Sequence, residues 1–367
     1  MNRDPSTPFT PVSEVGEFGL IDRLQARLGD AARASDLIEG LGDDAAVYRV
    51  GGAGSDGPSR VHVVTTDALV EGVHFDRTFA PMRAVGWKAI ATNVSDICAM
   101  NATPRFATVA LGMPNNVSVE AAEALYDGVA QACERYGVTV VGGDVTAAPR
   151  LILSVTLIGE ALEADIVTRR GARPGDLLCV TGDLGSAAAG LQVLLAGKDA
   201  HATDPAAGGD GAEGDAAEPA GPLDLTPFAY VVERQLMPQA RLDRVRAWGE
   251  AGVRPAALID VSDGLASEAH HLCAAGTAGV IVDGGALPVH LQTFRAAEQF
   301  GARAEAYVLY GGEDYELLFA ASKETLDALP GDSYAVVGEF TEPEGGVQLR
   351  VPSGDLTPLA ASGYKHY

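Results

Sequence analysis

The 367-residue sequence predicts an α+β protein of two domains, each a mixed sheet packed with helices. Three observations carry that prediction. The length exceeds one domain of ordinary size. Runs with strand character alternate with runs of helical spacing, but without the regular βα rhythm of a barrel. The pattern also pauses near 160–165, dividing the chain into residues 16–162 and 163–367.

Residues 1–15 are rich in Pro, Ser and Thr and read as a mobile leader. From Glu17 onward, Phe18, Leu20, Ile21, Leu24 and Leu28 recur at helical spacing, ending before Gly29. Gly40-Leu41-Gly42-Asp43-Asp44 is a glycine-acid turn that feeds a strand through Val47. Residues 51–57 make a hairpin-like loop, and 61–67 a strand ending on the Asp67 carboxylate. Pro81 opens a long helix through Trp87, Ile90, Val94 and Ile97, closed near Asn101 and Pro104. On it Thr92, Asn93 and Asp96 share one face. A strand over 106–111, a helix over 119–136 and strands over 138–141 and 151–158 complete the first half. The strand over 138–141 ends on Gly142-Gly143-Asp144, a tip that offers bare N–H groups and one anion.

The second half starts with a strand over 177–180, and Thr181-Gly182-Asp183-Leu184-Gly185-Ser186 leads into an Ala-rich helix. From about 198 to 222 the sequence collapses into Ala, Gly, Asp, Glu and Pro, which predicts a disordered insertion. Helices follow between 228 and 246, then a strand over 257–261, the turn Ser262-Asp263-Gly264 and a helix over 265–275. Strands over 280–282, 316–320, 335–337 and 347–351, with a helix near Phe294, close the pattern.

Composition narrows the function. A net charge of −24 argues against nucleic acid, whose binding starts from phosphate neutralisation by basic residues. A polyphosphate ligand would need divalent cations between it and the carboxylates, and hard Mg²⁺ prefers oxygen on both sides. No stretch reaches the length of a bilayer span without a charge or a proline. The first residues lack the apolar core of a secretory signal, so a cytoplasmic location is expected. Cys98, Cys133, Cys179 and Cys273 lie far apart, which suits neither a disulfide framework nor a structural zinc.

Acidic residues recur at the ends of predicted elements: Asp43, Asp44, Asp67, Asp96, Asp144, Asp260, Asp263, Glu313 and Asp314. Any one of them beside a glycine has an ordinary structural reading as a cap or Asx-turn, and Asp314 suits it well. Capping does not explain their regular recurrence. There is no Gly-x-x-x-x-Gly-Lys-Ser/Thr loop, and the single Gly-Lys pair, Gly197-Lys198, runs into the low-complexity segment. With four lysines in the chain, a site of metal ions clamped by aspartates fits better than a lysine-centred one.

Six stretches, in order and spanning nearly the whole chain, together resemble the thiamine-monophosphate kinases. They are Gly42-Asp43-Asp44-Ala45-Ala46, Thr65-Thr66-Asp67 with Glu71-Gly72-Val73-His74-Phe75, Asn93-Val94-Ser95-Asp96, Gly142-Gly143-Asp144, Asp260-Val261-Ser262-Asp263-Gly264, and Gly311-Gly312-Glu313-Asp314-Tyr315. The resemblance implies the two-domain fold of aminoimidazole ribonucleotide synthetase (PurM-like), a homodimer, and transfer of phosphate from ATP to thiamine monophosphate with several Mg²⁺ ions. It implies Asp44, Thr65, Thr66, Asp67, Asp96, Asp144, Asp260 and Asp263 as metal ligands, with Asp96, Asp144 and Asp263 nearest the chemistry. Tyr126, Gly143, Asp144, Arg169 and Ser262 would contact the nucleotide, and His74, Glu313 and Tyr364 the thiamine phosphate. Read on its own, a histidine after a turn such as His74 is more often structural or solvated, while Glu313 is equally a turn residue and Tyr364 equally a C-terminal anchor.

The chemistry is consistent with such a site. A phosphate monoester has its second pKa at about 6, so the acceptor is mostly dianionic at neutral pH and needs no strong base. The difficulty is bringing two polyanions into line, which calls for positioning and charge neutralisation without a phosphoenzyme. Within the same fold, a selenophosphate synthetase would carry an early reactive cysteine and a carbamoyl-dehydrating hydrogenase-maturation protein a C-terminal one. Here no cysteine precedes Cys98, and the sequence ends Gly363-Tyr364-Lys365-His366-Tyr367. A non-catalytic nucleotide-binding module is the alternative of a different class.

Overall fold

The computed structural model describes residues 11–50, 58–202, 223–329, 333–361 and 363. The first half contains α1 (Val12–Leu28), β1 (Leu37–Glu39), β2 (Ala46–Arg49), β3 (Arg60–Val70), α2 (Met82–Ala99), β4 (Thr103–Met113), α3 (Val119–Tyr136), β5 (Thr139–Ala147) and β6 (Ile152–Leu162). Its six strands lie in the order β1-β2-β3-β6-β4-β5, with β4 and β5 parallel and the other pairs antiparallel.

The second half contains β7 (Leu177–Val180), α4 (Ser186–Ala202), α5 (Ala229–Leu236), α6 (Leu242–Ala251), β8 (Ala257–Asp260), α7 (Leu265–Ala275) and β9 (Gly279–Asp283). It continues with α8 (Leu291–Phe300), α9 (Ala304–Tyr310), β10 (Leu317–Ala321), α10 (Lys323–Asp327), β11 (Ala335–Thr341), β12 (Val347–Arg350) and β13 (Leu356–Pro358). Its seven strands run β13-β12-β9-β11-β7-β10-β8. Two mixed sheets packed with helices are the α+β architecture that the alternation predicts.

Helix α2 is the centre of this arrangement. It is buried almost all round, its polar residues Lys88, Thr92, Asn93 and Ser95 included. Glycines let α3 press directly on it: a Cβ at Gly86 would stand 2.0 Å from the Leu125 carbonyl oxygen, and one at Gly128 1.9 Å from that of Arg83. Its other contacts join the halves. Trp87 donates its indole N–H to the Pro238 carbonyl (2.7 Å) and Ser95 donates to Asp260 (2.6 Å); beside them, Tyr136 at the end of α3 accepts the Ala240 N–H on its hydroxyl (3.0 Å). The larger apolar core accordingly runs from Ile90 and Ile97 into Trp248 and Phe319 of the second half.

Three expectations change. Of the expected leader, Val12 to Val15 belong to α1, whose kink is Gly16 at φ 68°; residues 1–10 lie outside the described residues. Of the expected insertion, 198–202 end α4, and the Lys198 Nζ pairs with Asp76 at 2.6 Å; 203–222 lie outside the described residues, as do 51–57. Gly142-Gly143-Asp144 is not a strand tip. β5 runs through it to Ala147, across an irregularity where Ala107 faces Val140 but Thr108 faces Gly142. A Cβ at Gly143 would lie 2.1 Å from the Val109 carbonyl oxygen, so this glycine admits the close approach of β4.

Candidate active site

A cavity of about 1280 Å³ lies between the halves, walled by α2, β3, the turn after β8 and the loop before β10. At one end three carboxylates converge. Asp44 comes from the turn before β2, Asp96 from the last turns of α2 and Asp260 from the end of β8. Each offers an oxygen within 4.8 Å of the others. In an octahedral Mg²⁺ site opposite oxygens lie about 4 Å apart, so the spacing and the all-oxygen donor set fit a hard divalent cation.

The carboxylates are held by specific partners. Arg169 places its fork on Asp44, with Nη2–Oδ1 at 2.5 Å and Nε–Oδ2 at 3.2 Å, and its backbone N–H reaches Asp43 at 3.3 Å. Thr65 donates its hydroxyl to Asp96 (2.6 Å), and Ser95 to Asp260 (2.6 Å). Asn93 accepts the Asp67 N–H (3.2 Å), which fixes the backbone of β3 against α2. Asp263 donates its N–H to the buried Glu268 (2.8 Å). Electrostatically this is an overloaded site. Burial, then the neighbouring Asp44, pushes Asp260 up to about 8 and Asp43 up to about 6. Burial, then the charges of Asp67, Asp260 and Asp44, raises Asp96 well above the carboxylate range.

These shifts set a pH dependence. A carboxyl whose folded pKa is raised holds its proton longer in the folded chain than in the unfolded one. Its contribution to stability is therefore full below the ordinary carboxylate pKa and is lost as pH rises through about 6 for Asp43 and about 8 for Asp260. In EDTA the melting temperature should fall as pH climbs from 5 to 8.5, and a saturating divalent cation should reverse the slope by displacing those protons. Equal slopes with and without the cation, read by differential scanning fluorimetry, would contradict the arrangement.

Of the residues expected from sequence, Asp44, Thr65, Thr66, Asp67, Asp96, Arg169, Ser262, Asp263, His74, Asp260 and Glu313 all line this one cavity. Within it the Thr66 hydroxyl turns to the Val155 carbonyl (3.1 Å) and Thr156. His74 Nδ1 accepts the Val70 N–H (3.1 Å), which in the neutral ring leaves the proton on Nε2. Three expected residues are elsewhere. Tyr126 lies exposed on α3, and Gly143 and Asp144 lie exposed on β5, none of them lining the cavity. Within one chain, then, the expectation that Asp144 joins Asp44 and Asp96 does not hold. Tyr364 lies outside the described residues; the preceding Gly363 packs on the turn after β8, where a Cβ would lie 2.6 Å from the Asp263 carbonyl oxygen. Asp314 caps the start of α4 through the N–H groups of Gly185 (2.6 Å) and Ala187 (3.2 Å), the structural role expected of it. Sequence reasoning missed Ser95, Glu268, Lys88 and Gln235. The first is visible as the neighbour of Asp96; Glu268 and Gln235 show only in the folded contacts of the second half, and Lys88 only once the halves are brought together.

Two mixed sheets with a carboxylate-lined cavity between them define an aminoimidazole ribonucleotide synthetase-like protein. Residues 42–161 match the family model for AIR synthase related protein, N-terminal domain. The thiamine-monophosphate kinase of Aquifex aeolicus is 34% identical over 97% of this chain and 99% of its own. A solved structure described as AaThiL complexed with AMPPCP and TMP superposes with a TM-score of 0.78 at 32% identity, covering 98% of this chain and all of the other. The hydrogenase-maturation protein HypE of E. coli, 20% identical over 94% of this chain and 98% of its own, shares the fold with a TM-score of 0.61. The chain belongs to the thiamine-monophosphate kinase family.

Proposed function

We propose that this protein transfers the γ-phosphoryl group of ATP directly to thiamine monophosphate, giving thiamine diphosphate and ADP. The observation that carries this reading is the buried Asp44–Asp96–Asp260 cluster at one end of a cavity large enough for both substrates, in a chain of this family. Magnesium is the proposed cofactor, held by Asp44, Asp96 and Asp260 with Thr65, Thr66, Asp67 and Asp263 around it. When bound, it supplies the positive charge that lets two polyanions approach.

The chain's own groups do the rest. Arg169 presents a fixed guanidinium beside Asp44, positioned to exchange that carboxylate for a phosphate oxygen. Ser262 and Asp263, on the turn after β8, line the same cavity. His74 and Glu313 line the cavity and are assigned to the acceptor, together with Tyr364, which lies outside the described residues. The acceptor phosphate is its own nucleophile, so no side chain needs to take a proton.

Residues 16–162 are proposed as the nucleotide and dimerisation domain, and 163–367 as the second domain. A homodimer accounts for β5: all nine of its residues are exposed, including Val141 at 59% and Val145 at 64%. It would also bring Tyr126, Gly143 and Asp144 to a partner's cavity. Among the described residues no helix is long and apolar enough to cross a membrane, and the four cysteines are free, three of them buried. A reducing, cytoplasmic location is proposed with them in mind.

The test is a product assay. Purified protein with Mg-ATP should convert thiamine monophosphate to the diphosphate in step with ADP release, followed by chromatography. ATP turnover with selenide or an aminoimidazole precursor, and none with thiamine monophosphate, would overturn the reading.

A further inference from the structure

Two turns of α2 away from Asp96, the same cavity is lined by a second, differently built group. Lys88, Thr92 and Asp96 follow at four-residue intervals on α2 and all line the cavity. One helix face therefore carries a carboxylate at one end and an ammonium two turns away, about 12 Å along the axis. Lys88 is the one buried lysine among the described residues. Its Nζ lies 2.5 Å from Glu313 Oε1. The other oxygen of Glu313 accepts from the Gln235 side-chain amide at 2.7 Å. Gln235, on α5, is itself 5% exposed, and its Oε1 has no hydrogen-bond partner among the described residues.

The backbone beneath this group is constrained. Glu313 has φ +66° and Tyr315 φ +53°, conformations unfavourable for side chains with a Cβ. They are held by hydrogen bonds from the Glu313 N–H to the Ser262 carbonyl (2.7 Å) and from the Tyr315 N–H to that of Val261 (2.9 Å). The loop that carries Glu313 is thereby tied to the Ser262–Asp263 turn at the metal end. Strain of this kind persists where the surroundings over-determine it.

We propose that Lys88 and Gln235 are positioning residues that turn Glu313 into a fixed, charge-neutralised hydrogen-bond acceptor for the amino-heterocycle of the acceptor substrate. This rests on the reading that Glu313 faces thiamine monophosphate. The physical argument has two parts. A lone carboxylate here would add to a cavity already lined by Asp44, Asp96 and Asp260 and would repel an incoming phosphate, whereas the Lys88 pair leaves this end neutral. With one lone pair of each Glu313 oxygen occupied, by Lys88 and by the Gln235 amide, the remaining lone pairs of the carboxylate form a pair of acceptors suited to an exocyclic amine. Recognition at this end is then by hydrogen-bond geometry, and the cationic ring of the substrate is not its target.

The experiment compares the full-length wild type with Lys88→Met, Glu313→Gln, Gln235→Leu and the double variant Lys88→Met/Glu313→Gln, by steady-state kinetics and calorimetric binding of thiamine monophosphate. Lys88→Met and Glu313→Gln are each expected to raise KM and the dissociation constant for thiamine monophosphate about tenfold or more, with the KM for ATP unchanged and kcat within about threefold. Gln235→Leu should shift the same parameter. The double variant should be no worse than either single one, because a neutral glutamine needs no buried ammonium. It also serves if Lys88→Met alone, with its unpaired half-buried carboxylate, fails to fold. Additive losses, a rise in the KM for ATP, or a fall in kcat at unchanged thiamine monophosphate affinity would overturn the proposal while leaving the kinase reading intact. Wild-type protein that does not phosphorylate thiamine monophosphate would overturn the kinase reading, and this proposal with it.

Discussion

Asp96→Asn is expected to lower kcat by roughly a hundredfold or more, the loss that accompanies removal of about 3 kcal/mol of transition-state charge stabilisation. The same change is expected to raise the melting temperature in EDTA. The two effects have one origin. Asp96 sits among Asp67, Asp260 and Asp44, and burial together with those three charges already disfavours its ionised form. Asparagine is nearly isosteric, and its side-chain oxygen can still accept from Thr65, so the fold loses a repulsion and keeps a hydrogen bond. What it loses is an anionic ligand in a group whose only fixed cation, among the described residues, is Arg169 on Asp44. Activity and metal-free stability should therefore move in opposite directions. Near-normal turnover at saturating Mg²⁺, or a drop in melting temperature, would contradict the assignment. Asp260→Asn should behave alike, because Ser95 supports it as Thr65 supports Asp96.

The elements were most legible where local chemistry marks both ends. The helix expected over 119–136 is α3 to the residue: Ser118 accepts the Ala121 N–H at its start, and Gly137 closes it at φ 74°. The strand over 177–180 and the helix over 265–275 also match β7 and α7. Legibility failed where the deciding partner is distant. β5 looked complete at Val141 because glycines punctuate strands, yet it continues because β4 runs parallel beside it and accommodates the irregularity. α4 continues into Ala- and Gly-rich sequence as far as Ala202 although composition alone argues against it; alanine is a good helix former, and Lys198 has Asp76 to pair with.

The site divides in the same way. Carboxylates beside glycines could be recognised one at a time, and the family resemblance selected those that matter; Asp44, Asp96 and Asp260 do meet. The hydrogen-bond partners had no comparable signal. Glu268 is a helix residue like any other until its carboxylate is seen to accept the Asp263 N–H. Gln235 lies 78 residues from Glu313 and belongs to a helix with no motif of its own. Their roles come from contacts of α7 and α5 with loops of the same half, which periodicity does not encode.

Asp144 provides the sharpest test of assembly, since its strand is the open edge of the first sheet and its carboxylate lies outside its own chain's cavity. Asp144→Asn alone should be nearly inactive, and so should Asp96→Asn. Co-expressed with different tags, the two chains should recover activity if each site takes Asp96 from one subunit and Asp144 from the other. The arithmetic follows from two-fold symmetry. Random pairing makes half the dimers mixed, and in each of these one site collects both mutations while the other collects none, so about a quarter of wild-type activity should return. Were Asp144 to serve its own chain, every site in the mixture would lack one carboxylate and no activity would return. A monomeric chain by light scattering would give the same silence, and would leave the nine exposed residues of β5 without the partner proposed for them.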